Sequence, residues 1–569
     1  MNRILPILFS LYSITVLAQP VVFQCGVNFQ SDTNARGVST VTDTSHNMYV
    51  VGSFTGTTDF NSNGTAYNAY AGASRDAYVA KYDPAGNLLW MKSFGSNGIC
   101  GAGLIKIDQW GDILVAGQFQ DTVDFDPGPG ITNLMENGYT DDFVLKLDSD
   151  GDFIWVRQLA STPTSSADIS SMKLDSAGNI YMTGSFAGTI DFDPGAGTAP
   201  LTGIPAGMDI FVEKWDASGN YLWAKAITGT GSNNGCDVAP DSAGNVYLTG
   251  YFENSLDFDP GPGSFVLTSA GSWDVYFAKL DPSGNFLWAK RIGSTGLDVG
   301  YLAGTDDAGN CFFSGYYRGT VDMDPGAGVS NMTVVGYTDV FIVKLDASGN
   351  YIKSAGFGGT SADQPLSLAM DTVNNIYLSG TYMGTVDFDP GTGVFNLNGL
   401  GSSDSYLLEL DDGLNFIWAG TMTPSLGYDV WCNNVNVGPA GDVSLAGYFI
   451  SPTMLDPTTA SYFVAASSTV YSGFALRLDE AIPTGIPVGE NIPGIHVYPN
   501  PALDYTKVRT DDIESGIVNL FNCTGTKIAG IVLSGHSARI DMALLPAGIY
   551  LLQIPGKDNR QRSVKIIRQ

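Results

Sequence analysis

Glutamate, lysine and histidine are scarce in this chain of 569 residues. It holds 7 Glu against 50 Asp, 27 Lys and Arg together, and 3 His. Few Glu and Lys leave no long helix-forming stretches, whereas Asp favours turns and caps. A formal net charge of −30 excludes nucleic acid as a partner, because phosphates need cations. The few His exclude most histidine-dependent centres: His46 sits in the turn DTSHN, and His496 and His536 lie near the C-terminus. No P-loop, GxSxG or HExxH string occurs. Cys25, Cys100, Cys236, Cys311, Cys432 and Cys523 are far apart, with no CxxC, which excludes a clustered zinc site and reads as buried free thiols for most of them. No apolar run reaches the ~20 residues of a membrane-spanning helix. The longest, Ile4 to Leu17, follows Asn2-Arg3 and precedes small Ala18, the pattern of a secretory signal peptide over residues 1–18.

Glycine, by contrast, is abundant, with 70 residues. A single core stops growing near ~250–300 residues, so this chain needs several cores or an array of small ones. An array is what the sequence spells. YVAKYD at Tyr78 returns as FVLKLD, FVEKWD, YFAKLD, FIVKLD, YLLELD and FALRLD at Phe143, Phe211, Tyr276, Phe341, Tyr406 and Phe474, spaced by 65 or 68 residues. GSFTGT at Gly52 has six relatives in step with it, at Gly117, Gly184, Gly250, Gly315, Gly380 and Gly447.

From residue 170 one repeat reads as strand SSMKL, turn DSAGN, strand IYMTGSF, a loop opened by DFDPGAG, strand DIFVEKW, turn DASGN and strand YLWAKAI. Four antiparallel strands per repeat, seven times over, predict an all-β chain: a seven-bladed β-propeller of four-stranded blades over residues 21–480, followed by a small β-sandwich. The last repeat stops at Asp479 without a fourth strand, and the strand Val21 to Gln30 is expected to complete that blade and close the ring. GNIYMTGSF with DIFVEKWDASGNYLW resembles the SBBP type of propeller repeat found in secreted bacterial proteins, which implies a scaffold and says little about ligand. Its fourth-strand Trp appears as Trp90, Trp155, Trp223, Trp288 and Trp418, but the fifth repeat has Lys353 there.

The run Glu480 to Gly494, with Pro483, Pro487 and Pro493, reads as a linker over residues 481–494. Beyond it the charge reverses: residues 494–569 hold nine Lys/Arg and six Asp/Glu, while the rest holds 18 and 51. Four alternating stretches predict the β-sandwich over residues 495–569. Tyr498-Pro499-Asn500-Pro501-Ala502, Gly525-Thr526-Lys527, Leu545-Pro546-Ala547-Gly548-Ile549-Tyr550 and Lys565-Ile566-Ile567 resemble the C-terminal sorting domain of the type IX secretion system of Bacteroidetes. The sorting motif so implied comprises Tyr498, Pro499, Asn500, Pro501, Gly548, Tyr550 and Lys565. The resemblance implies the type IX machinery as partner, passage through the periplasm, removal of the domain, and release or attachment at the outer-membrane surface. Cys523 stands where that family more often has a polar residue.

The most distinctive polar motif is DFDPGxG, at Asp124, Asp191, Asp257 and Asp387, with DMDPGAG at Asp322. Its paired carboxylates suit Ca²⁺, a hard ion that takes six to eight oxygens. They equally suit capping of the Pro-Gly turn, with the aromatic plugging a blade interface. Recurrence in nearly every repeat favours the second. Variable segments such as Thr228 to Asp237 share the DFDPGxG face, and binding is expected there. The expected function is a monomeric, secreted or surface scaffold that binds a glycan, protein or polymer without catalysis. A carboxylate-dependent polysaccharide hydrolase or lyase is the alternative.

Overall fold

The computed structural model describes residues 21–480 apart from 73, 205–206, 425–426, 459–461 and 465–469. Toward the C-terminus it describes 495–498, 505–510, 515–522, 527–534, 536–542, 545, 548–555 and 561–568. The segments expected to be a signal peptide and a linker therefore lie outside the described residues. All regular structure among the described residues is β, in two compact units that divide after Glu480.

The larger unit is a propeller-like array of small antiparallel sheets. Asn34–Thr42, Cys100–Ile107, Ser166–Leu174, Asn234–Pro240, Val299–Thr305, Gln364–Met370 and Val430–Val437 each head a set of four strands. In the third set the others are Ile180–Ala187, Gly207–Trp215 and Tyr221–Gly229, in register at Gly184↔Phe211 and Phe211↔Ala226. In the last set Val443–Phe449 and Ser472–Glu480 are followed by Val21–Ser31, paired at Val21↔Glu480 and Phe29↔Gly473. Each leading strand packs against the leading strand of the next set, and Val430–Val437 against Asn34–Thr42. Every leading strand carries a bulge at the same register, at Val38, Gly103, Ser170, Cys236, Tyr301, Leu366 and Asn433.

The short turns form because Asp satisfies their backbone. Asp175 Oδ1 accepts from Ala177 N and Asn179 N, both at 2.9 Å, and its Oδ2 accepts from Asn179 Nδ2 at 2.8 Å. Gly178 follows at φ 79°, the left-handed region in which a Cβ is crowded. His46, Asn374 and Leu414 hold that conformation in three other turns, at φ 60°, 68° and 57°.

The DFDPGxG loops, read from sequence as loops, are small hairpins. Thr189–Asp191 pairs with Pro200–Thr202. Asp191 Oδ1 accepts from Asp193 N at 3.1 Å and Ala199 N at 2.7 Å, and Asp193 Oδ1 accepts from Gly195 N at 2.8 Å. Between the two carboxylates Phe192 is fully buried, 5.0 Å from the Phe211 ring centre and 5.6 Å from Phe186. Phe125, Phe258 and Phe388 repeat the plug, and Phe60, Met323 and Leu455 take its place elsewhere.

Neighbouring sets interlock through side chains. Trp90, Trp155 and Trp288 lie over the turn glycines Gly151, Gly219 and Gly349 of the following set. Where the fifth repeat lacks the Trp, Lys353 Nζ reaches Asn415 Oδ1 at 3.1 Å in the next turn. Lys81 donates to Ser149 O at 3.0 Å and Lys279 to Ala347 O at 3.2 Å. Arg477 makes the same link from the last set to the first, donating to Pro84 O at 3.3 Å.

The C-terminal unit has seven strands in one sheet order. Each of the first three stretches read from sequence divides into two strands: Ile495–Tyr498 with Tyr505–Thr510, Ser515–Asn522 with Lys527–Ser534, and Ser537–Asp541 with Gly548–Pro555. Val508, Leu520, Leu533, Ile540, Leu552 and Ile566 form its core. Of the cysteines, Cys25, Cys100, Cys311 and Cys432 are free and buried and Cys236 is free and half-buried, while Cys523 lies outside the described residues.

Two predictions follow from this packing. Phe192→Ala empties a buried plug and is expected to cost about 3–5 kcal/mol in urea unfolding. Asp191→Asn, which keeps the shape but weakens the acceptor, should cost less than half of that. The second concerns pH. Burial lifts the carboxyl groups of Asp76 and Asp363 to about 6 against opposing backbone N–H donors, and burial also raises Asp209, Asp274, Asp339 and Asp404. Between about pH 4 and 6 the folded chain thus holds protons that the unfolded chain has released, so stability rises as pH falls through that window. Calorimetry should give a higher Tm at pH 5 than at pH 7.5, with a smaller difference in Asp363→Asn.

Candidate functional site

The candidate site is the rim where the leading strands begin. Strand pairing brings three positions of each set to it. In the first set Arg36 lies opposite Ser53, Ser53 lies opposite Ala77, and Arg75 precedes that third strand by one residue. The matching positions are Trp431, Tyr448 and Tyr471 in the last set, and Asn234, Tyr251 and Trp273 in the fourth. These positions differ from set to set, while the Gly and aromatic residues on either side of the middle one recur.

Aromatic residues supply much of the rim. Tyr251 and Trp273 stack with ring centres 4.3 Å apart, Tyr301 and Tyr316 lie 5.7 Å apart, and Trp431 and Tyr448 stack at 6.1 Å with an interplanar angle of 8°. Flat apolar faces beside polar edges suit stacking against a ligand ring. The second and third sets are polar instead. Gln118 Nε2 donates to Asp168 Oδ1 at 2.8 Å, and Ile169 N donates to Asp142 Oδ2 at 3.1 Å. Burial raises both carboxyl groups, Asp142 well above the usual carboxylate range, and the charge of Asp168 raises it further. Asp142 stands where the other sets have Ala77, Ile210, Val275, Val340, Ser405 and Gly473.

Deeper along the leading strands, Asp237 joins three sets. It accepts from Ser171 Oγ of the third set and from Ala303 N of the fifth at 2.9 Å, while Lys173 Nζ lies 3.7 Å away. Lys106 holds the same register position as Lys173 in the neighbouring set. Burial and the Lys173 charge push its ammonium down to about 7, with Asp237 opposing.

Of the residues singled out from sequence, the variable segment Thr228 to Asp237 supplies Asn234 to the rim and Asp237 beneath it, and the others fall elsewhere. Tyr498, Gly548 and Lys565 lie on strands of the C-terminal unit, where Gly548 pairs with Arg568 and Leu551 with Lys565, and Tyr550 is buried. Pro499, Asn500 and Pro501 lie outside the described residues. His46 Nδ1 faces Asp442 Oδ1 at 3.3 Å, in a turn away from the rim. In the DFDPGxG hairpins an oxygen of each carboxylate already accepts a turn N–H. Among the described residues no group of three His, Cys, Asp or Glu side chains is placed to hold a metal ion. The sequence carried a signal for the rim that the reading passed over. The second letter of GSF, GQF, GYF and GTY varies while both neighbours stay nearly fixed.

Two curated relatives align with most of this chain. The chain is 23% identical over 492 residues to an uncharacterized WD repeat-containing protein of Acanthamoeba polyphaga mimivirus, covering 73% of this chain and 34% of that one. It is 23% identical over 412 residues to the regulatory protein FlaEY of Caulobacter vibrioides, covering 69% and 41%. The chain thus spans about a third and two-fifths of the length of these relatives. Among solved structures, the extracellular domain of a one-component system from B. thetaiotaomicron aligns over 94% of this chain and 81% of that one, at 12% identity and a TM-score of 0.20, too remote to bear on the fold. No helix among the described residues is long and apolar enough to cross a membrane. Residues 496–569 match the secretion system C-terminal sorting domain, and they mark the chain for export by the type IX route to the cell surface or the medium.

Proposed function

We propose that residues 21–480 are a closed seven-bladed β-propeller of the SBBP kind, exported by a bacterium of the Bacteroidetes as a monomer and acting as a non-catalytic scaffold that binds a glycan or surface polymer at the rim. Val21–Ser31 is the strand that seals the ring. The cyclic packing of the leading strands supports the closure, and so does the Arg477 link from last set to first. One observation carries the binding reading: the scaffold repeats, and its rim departs from the repeat toward stacked aromatics with polar edges.

A second reading has a specific observation behind it. Asp142 and Asp168 are two carboxyl groups with raised pKa that break the repeat at the rim, as a hydrolase or lyase acting on polysaccharide would need. A protein ligand would use the same aromatic rim.

A glycan array probed with the secreted protein separates these readings. Retention of a glycan unchanged in length, weakened about tenfold by Trp431→Ala or Trp273→Ala at constant Tm, is the expected result. Release of new reducing or unsaturated ends, abolished by Asp168→Asn, would establish the enzyme instead. Export is checked by intact mass. The mature chain should begin just after Ala18 and end between Glu480 and Gly494, and a product still ending at Gln569 would contradict removal of the sorting domain. Ca²⁺ is proposed to have no structural part in the hairpins, whose carboxylates accept turn N–H groups, so calorimetry in EDTA and in millimolar Ca²⁺ should give the same Tm. A rise with Ca²⁺ that is lost in Asp191→Asn would place the ion there.

A further inference from the structure

One corner of the rim is cationic, and it is built from two neighbouring sets. Arg36 lies with its guanidinium carbon 4.8 Å from the ring centre of Tyr448 and 4.6 Å from that of Tyr471. Those two rings meet edge to face at 5.2 Å, so they fix the guanidinium in place. Arg75 crosses to the second set. Its Nη2 lies 3.8 Å, and its Nε 3.9 Å, from the point where a Cβ on Gly101 would stand. Gly101 is the counterpart of Arg36 in the second set, and Arg75 lies within van der Waals reach of where its side chain would begin, so the two guanidiniums hold adjacent places on the rim.

Arg36 and Arg75 together line a cleft of about 160 Å³ with Asn34, Ser53, Thr55 and Tyr471. Among the described residues neither guanidinium has a hydrogen-bond or ion-pair partner, although acidic side chains outnumber basic ones 51 to 18 outside the C-terminal region. Elsewhere in the same unit Arg291 pairs with Asp274 and Arg477 with Asp479. Two like charges held together without a counter-charge are unfavourable alone and favourable around an oxyanion.

We propose that this corner is a subsite for an acidic sugar. The Arg36 and Arg75 guanidiniums take the carboxylate or sulfate of an anionic polysaccharide, and the Trp431–Tyr448 stack takes an adjacent ring. A stacking face beside two bidentate donors matches a sugar ring that bears an oxyanion of its own. The proposal rests on the reading of the rim as a glycan-binding face.

The test uses the full chain and two matched pairs of probes: oligogalacturonate with its methyl ester, and dextran sulfate with dextran. The charged member of at least one pair should bind about tenfold more tightly than its neutral partner. Arg36→Gln and Arg75→Gln should each remove most of that preference with Tm unchanged, as should Gly101→Leu, which displaces Arg75 and leaves both arginines present. A carboxylate is separated from a sulfate by which pair shows the effect. Equal binding of charged and neutral members, lost in Trp431→Ala, would overturn the acidic subsite and leave the glycan face standing. A charge preference that survives both arginine substitutions would also overturn it. Binding of none of the four probes would overturn the subsite and the glycan-face reading together.

Discussion

A carboxylate accepting backbone N–H groups is the interaction on which this structure depends. Asp175 closes a turn that way, Asp191 and Asp193 close a hairpin, and Asp209 ties one strand end to another by accepting from Gly229 N at 2.9 Å and Ile204 N at 2.6 Å. Asp does this where Glu does not, because its short side chain reaches its own backbone two residues on. The 50 Asp against 7 Glu therefore reflect how many turns the chain makes. The acidity of this protein is first a matter of architecture.

Much of this was legible in sequence for a physical reason. DSAGN and DASGN combine an acceptor, a left-handed residue and an amide at fixed spacing, so a turn there has almost no alternative. The paired strands follow from alternation between such turns. The hairpins were not legible. Their strands are three residues long, too short for a period to show, although the capping carboxylates and the buried aromatic between them were read from the motif. In the C-terminal unit the reading joined strands that turns divide, as with Ile495–Tyr498 and Tyr505–Thr510.

The rim was hidden for a different reason. Arg36, Ser53 and Arg75 are spread over 40 positions and become neighbours only through register. Arg75 lies beside Gly101 of the next set, a neighbour 26 positions away in sequence that only the register reveals. Asp142 is concealed by its neighbour Asp141, which belongs to the repeated pattern, whereas Asp142 departs from it. Position in a strand tells a structural carboxylate from an unusual one. Residue type does not.

Trp90, Trp155, Trp223 and Trp288 are seated on Gly151, Gly219, Gly284 and Gly349, so the second, third and fourth sets are each half of two joints, while Lys353 takes the place of the Trp in the fifth. Gene rearrangement within such an array thus has a natural unit. Among those three sets, a segment of 65 or 68 residues cut at one phase carries one glycine and one tryptophan, so both joints keep their form when one such segment replaces another. A cut at any other phase severs a pair. The rim positions travel inside that same segment, so a new surface specificity can be inherited whole, by exchange of a single repeat.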